Sequence, residues 1–285
     1  MMALNKKTFI PLEKTMKLLT TKNLAAATLT AAMGMASTSA MAFPLFTVDE
    51  SSVEGNVNTV IADRITGGYT EVVTFEAVTA ATGNFFTSII FNAGQFFNGA
   101  NSQGTLLNNI FGTIGYALYA TFLGEGTYVT NADLTTDFVF TGGTFDLFVD
   151  PDRDTTFAGP ADGKTAYGVT PGVADLKVGS GSIIFGNGTL DPTSATCING
   201  VNCGSFGTNT DFQLTAFGAT YFVDPIPFYN LTFESGQFLN FTVAGTQTIS
   251  GSMDVVFGTK SVPEPTTVAL MGLGLLGLGL RRRKA

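Results

Sequence analysis

The sequence predicts an all-β body, a single β-sandwich or jelly-roll-like domain, held between two terminal segments of different character. Three observations carry that expectation. Glycine is abundant at 34 residues and threonine is frequent, while Glu, Lys and Gln are scarce; the mixture favours strands and tight turns over helices. Apolar and polar residues alternate with a period of two along much of the middle. Gly- and Asn-bearing turn signals recur between these stretches. With 45% hydrophobic residues and 26 Phe, the chain can bury enough surface to offset its conformational entropy. No linker divides residues 43–260, which are read as one domain.

The first segment, residues 1–42, has the three parts of a secretory signal. Lys6, Lys7, Lys14, Lys17 and Lys22 precede an apolar run from Leu24 to Met35, and Ala40-Met41-Ala42 follows as an A-x-A cleavage site. Cleavage by a signal peptidase after Ala42 leaves Phe43 as the new start. Met16-Lys17-Leu18-Leu19 begins a signal of ordinary length, so Met16 is an alternative start codon to Met1. The apolar run is too short to span a bilayer as an uncleaved anchor.

Along the body, Tyr69 to Phe75 and Phe138 to Val149 alternate, the latter with a turn expected at Gly142-Gly143. Tyr116 to Phe122 is read as a strand bounded by Gly112, Gly115, Gly124 and Gly126. Further strands are expected at Ser182 to Phe185, Phe212 to Phe222, Gln237 to Val243 and Thr248 to Phe257, with turns at Asp162-Gly163 and Asn187-Gly188. Phe91 to Phe96 and Phe233 to Phe238 share F-x-[AS]-G-Q-F; this marks either two equivalent hairpins or a coincidence of short strand-like segments.

The body is acidic, with 20 Asp and Glu against Arg64, Arg153, Lys164, Lys177 and Lys260. Like-charge repulsion argues against nucleic acid as a partner. Cys197 and Cys203 flank a short Gly/Asn loop, and in an oxidising compartment they are expected to form a local disulfide. Asp150, Asp152 and Asp154, followed by Asp162, form the best candidate for a hard cation, Ca²⁺. As an EF-hand the loop fails: Thr155 stands where the invariant Gly belongs, and Ala161 where the bidentate Glu belongs. The other reading is a solvated loop after a strand. The chain contains no His and no Trp, so His-dependent triads cannot be built. A glycosidase needs only two carboxylates, but the sequence singles out no pair. The expectation is a non-enzymatic protein without a cofactor.

The C-terminal segment, residues 261–285, carries the most specific motif. Val262-Pro263-Glu264-Pro265 is followed by an apolar run from Thr266 to Leu280 and then by Arg281, Arg282, Arg283 and Lys284. The prolines enforce an extended segment that a peptidase can accept. As a single hydrophobic helix the run reaches roughly 22 Å, and the basic cluster holds its far end in the cytoplasm. This arrangement resembles the PEP-CTERM sorting domain of Gram-negative bacteria that make exopolysaccharide. The resemblance implies recognition by an exosortase, a membrane cysteine peptidase that cuts near the Pro-Glu-Pro, after transient anchoring in the inner membrane. The alternative is a permanent single-span anchor. More narrowly, Asp63 to Glu71, Tyr116 to Phe122 and Phe145 to Asp150 resemble the flocculation-associated PEP-CTERM proteins. That likeness implies a structural protein of the cell surface or extracellular matrix, promoting aggregation, flocculation or biofilm formation within exopolysaccharide. A carbohydrate-binding module for that polymer is the alternative, with a matrix glycan hydrolase behind it.

Overall fold

The computed structural model describes residues 43–53, 57–109, 115–171, 175–235 and 239–258. The strands in chain order are β1 (Phe46–Asp49), β2 (Thr59–Ala62), β3 (Arg64–Ala77), β4 (Thr82–Asn98), β5 (Asn101–Ser102), β6 (Ala117–Thr130), β7 (Thr136–Asp150), β8 (Thr156–Ala158), β9 (Gly168–Thr170), β10 (Leu176–Leu190), β11 (Gly204–Thr210), β12 (Gln213–Leu214), β13 (Phe222–Asp224), β14 (Asn230–Ser235) and β15 (Gly245–Gly258). A single helical turn, α1, spans Gly218–Tyr221. The all-β class holds, but the architecture is a barrel and not a sandwich. Successive antiparallel pairs run β3-β4-β6-β7-β10-β11-β14-β15. Ile249 of β15 then pairs with Glu71 of β3 and closes the ring. A sandwich leaves two sheets with free edges; here β10 hydrogen-bonds β7 on one side and β11 on the other, so the sheet has no break.

An eight-stranded barrel has an interior just wide enough for side chains to fill, and phenylalanine fills this one. Rings touch edge to face in a column: Phe85–Phe140 at 5.1 Å, Phe140–Phe122 at 6.0 Å, Phe122–Phe233 at 6.3 Å and Phe233–Phe145 at 5.1 Å. The column continues through Phe212 and Phe257 to Phe46. Space for the rings comes from strand glycines. A methyl group on Gly126 would stand 2.5 Å from the Phe85 ring, one on Gly181 2.6 Å from Phe145, and one on Gly67 2.7 Å from Phe91. This corrects several turn expectations. Gly124 and Gly126 lie inside β6, Gly142-Gly143 inside β7 and Asn187-Gly188 inside β10. At Gly124, Gly126, Gly143 and Gly188 the missing side chain makes room for a ring or a neighbouring strand, and none of these glycines reverses the chain.

One barrel end is capped by a small antiparallel sheet, β13-β1-β2. Beneath it lies a polar hub around Glu50, which is fully buried. Its carboxylate accepts from Tyr116 at 2.9 Å, Asn58 at 2.8 Å and the Leu106 N–H at 3.0 Å, and also from Thr105. Tyr116 and Tyr221 share a hydroxyl–hydroxyl contact of 2.8 Å. The strand expected over Phe212 to Phe222 is instead β12, α1 and the start of β13. Thr215 supplies the reason: its hydroxyl accepts from Gly218 N at 3.0 Å, and its carbonyl accepts from Ala219 N. At the other end, Leu239 to Val243 form no strand, against expectation. Phe241 folds over the mouth and stacks on Phe75 at 5.9 Å.

The outer wall is polar along β3 and β15, where Thr66 donates to Asp254 at 2.6 Å and Thr74 meets Thr246 at 2.8 Å. Along β3 and β15 this is the opposite of a membrane-spanning β-barrel, whose apolar face points outward, although Val139, Ile184 and Phe185 are exposed on β7 and β10. Among the described residues no helix is long and apolar enough to cross a membrane.

Candidate functional sites

An outward-facing groove of about 660 Å³ is walled by the 191–203 loop and by β11, β14 and β15. Hydroxyls of Thr189, Ser205 and Ser252 line it together with the carboxylates of Asp191, Glu234 and Asp254. Glu234 and Asp254 stand directly opposite one another across β14 and β15, a like-charge pair that costs stability. Their environments differ. Desolvation, then the neighbouring Asp254 charge, pushes the Glu234 carboxyl above its usual range. Asp254 accepts from Thr66 and lies 3.9 Å from the Arg64 guanidinium. Asp191 is turned toward its own loop, accepting from the Thr193 N–H at 2.9 Å and hydroxyl at 2.8 Å. Such a groove offers hydroxyl and carboxylate partners to a polyhydroxylated ligand.

A second site lies inside the barrel. A cavity of about 30 Å³, the size of one water, is lined by Glu71 with Phe75, Phe85, Phe138, Phe140 and Phe241. The Thr87 hydroxyl donates to Glu71 Oε1 at 2.5 Å. Desolvation in this apolar setting pushes the Glu71 carboxyl up to about 7, and the Thr87 hydrogen bond opposes that shift only in part. The sequence reading did not single out Glu71. Its position held the signal: it shares the parity of Tyr69, Val73 and Phe75, so the period that buries those rings also turns a carboxyl inward. Glu234 and Asp254 carried no local signal, because strand pairing alone brings them together.

The structure does not gather the acidic candidates for Ca²⁺. Asp150, nearly fully buried at the end of β7, accepts from the backbone N–H of Arg153 at 2.6 Å and of Thr155 at 3.0 Å. Asp162 closes its own turn by accepting from Lys164 N and Thr165 N, both at 3.0 Å. The adjacent Gly163 N donates to Thr74 at 3.0 Å, which places this turn on the β3–β4 wall, away from Asp150. Asp152 and Asp154 lie exposed between them. Among the described residues no group of three or more Asp, Glu or Cys side chains is arranged to hold a metal. Cys197 and Cys203 are joined by a disulfide with their Cα atoms 4.2 Å apart. It staples the loop that overhangs the outer groove, and Cys203 is fully buried against the barrel.

Ala40 and Ala42, the Val262-Pro263-Glu264-Pro265 motif, the apolar run after it and the basic cluster Arg281 to Lys284 lie outside the described residues. No curated protein and no solved structure matches the chain. A family model does match its end, over residues 261–284. The chain therefore carries a PEP-CTERM protein-sorting motif, the mark of an exported protein sorted to the cell surface by an exosortase.

Proposed function

We propose that this protein is a non-enzymatic component of the cell surface or extracellular matrix that promotes cell aggregation, flocculation or biofilm formation within exopolysaccharide. The sorting motif at residues 261–284 carries the reading, since it addresses the barrel to the outside of the cell. Removal of the signal after Ala42 by a signal peptidase and exosortase processing near Val262-Pro263-Glu264-Pro265 would leave the barrel as the working part, after transient anchoring in the inner membrane. A packed aromatic interior and a hydroxyl-rich wall suit a durable scaffold that works through its surface. The outer groove favours a second reading, a carbohydrate-binding module that takes exopolysaccharide along Ser205, Glu234, Ser252 and Asp254. The test is the intact mass of the protein recovered separately from cells, matrix and medium, with aggregation scored in cells lacking it. Matrix material trimmed at both ends, with aggregation lost in its absence, supports the reading. A chain that keeps Arg281 to Ala285 and stays with the membrane fraction, in cells that aggregate normally without it, refutes it.

A further inference from the structure

The Glu71 carboxyl faces an apolar interior in which no basic side chain among the described residues reaches it. The four basic side chains among the described residues are engaged elsewhere. Arg64 lies 3.3 Å from Asp63, and Arg153 donates to the Asn109 carbonyl. Lys164 pairs with Glu76, and Lys177 with Asp146 at 2.8 Å. The Glu71 charge acts on the neighbouring Tyr69 and Tyr167 hydroxyls, and neither supplies positive charge. Glu71 is half-buried, and a carboxylate withdrawn this far from water among apolar rings is ordinarily paired with a cation or kept neutral. Thr87 occupies Oε1, and among the described residues no donor reaches Oε2. Phe rings line the cavity, and the face of a Phe ring carries negative quadrupole potential that attracts a positive group. The cavity's 30 Å³ matches one ammonium group. Its cover is the Phe241 ring, which packs on Phe75 and Phe138 and is carried on residues 239–243, a segment outside the strand ladders that Asn240 N ties to the Gly200 carbonyl at 2.8 Å.

We propose that the barrel interior beneath Phe241 binds a small aliphatic primary amine, its ammonium group donating to Glu71 inside the phenylalanine cage and its narrow tail passing beside Phe241 to the mouth. The carboxylate and the rings select for positive charge, and the size of the cavity selects a primary over a quaternary head group. Binding supplies the counter-charge that none of the described residues provides.

The test uses the full chain in mild detergent, with n-butylamine and its neutral counterpart n-butanol as probes, followed by ligand-observed NMR. At pH 8 the protein is expected to bind the amine roughly tenfold or more tightly than the alcohol, the worth of a charge-assisted hydrogen bond. In Glu71→Gln that preference disappears. At pH 5, where Glu71 holds its proton, it disappears in the unaltered protein as well, and this arm decides the matter if Glu71→Gln does not fold. Equal affinity for the two probes at pH 8, binding of neither, or a preference that persists in Glu71→Gln or at pH 5 overturns the proposal. The last of these outcomes would place the amine on the acidic surface.

Discussion

Replacing Glu71 by Gln should remove a pH-dependent term from the stability of the barrel. The Glu71 carboxyl moves from an ordinary value of 4.5 to about 7 in the fold, driven by desolvation. Below pH 4.5 both the folded and the unfolded chain hold the proton, and the group leaves stability unaffected. Between 4.5 and 7 the unfolded chain releases its proton first, so stability falls as pH rises, by at most about 1.4 kcal/mol per pH unit. Above 7 both states are ionised and the loss levels off. The displacement corresponds to at most about 3 kcal/mol, because the carboxyl keeps partial access to water through the cavity. Gln keeps the shape and can still meet the Thr87 hydroxyl, but it carries no charge at any pH. Denaturant unfolding of both proteins from pH 4 to 8.5 isolates the term, since every other titrating group cancels in the difference. The unaltered protein should lose ground to Glu71→Gln across pH 4.5–7 and hold a constant deficit above it. A difference that stays flat over this range, or grows with falling pH, refutes the assignment of Glu71 to the apolar interior.

Three further outcomes follow from the fold. Glu50→Ala leaves the Leu106 N–H and the Tyr116 hydroxyl without their shared acceptor in a fully buried site, and should lower unfolding stability by about 2–4 kcal/mol; Glu50→Gln, which keeps acceptor capacity, should cost less in the same denaturation assay. Gly126→Val forces atoms against the Val139 carbonyl and into the Phe85 ring; a thermal midpoint several degrees lower is expected, with partial recovery when Phe85 is also shortened to Leu. Cys197→Ser with Cys203→Ser frees a loop closed over a sequence separation of 6 and should cost about 2 kcal/mol. That double variant should also weaken any exopolysaccharide retained by the outer groove, which co-sedimentation measures against the unaltered protein.

Class and strand content were legible in the sequence because the period-2 pattern is local. Tyr69 to Phe75 and Thr248 to Phe257 fall inside β3 and β15 as expected. Glycine was misleading where it was most informative. Gly126, Gly142 and Gly188 lie within extended strands, yet a turn-based reading ends strands at such positions. The distinction lies in the partner strand: Gly126 leaves space for Phe85, and Gly181 for Phe145. A single strand cannot reveal a ring that arrives from its neighbour. For the same reason the ring closure through β10 and β11 was out of reach, since a sandwich and a barrel require the same local alternation and differ only in which edges meet.

The same pairing logic separates the two candidate sites. Glu71 is inward by parity within one strand, so its burial follows from local sequence once the strand is recognised. Glu234 and Asp254 become neighbours only through the β14–β15 register. A slip of one residue would turn β14 over against β15, carrying Phe233 out of the core and the Glu234 carboxyl into it. Phe233 is held against both Phe122 and Phe145 in the ring column, so that slip would expose a buried aromatic side chain. The aromatic interior therefore fixes the geometry of the outer groove: the packing that fills the barrel also holds two like charges opposite one another on its surface, against their mutual repulsion.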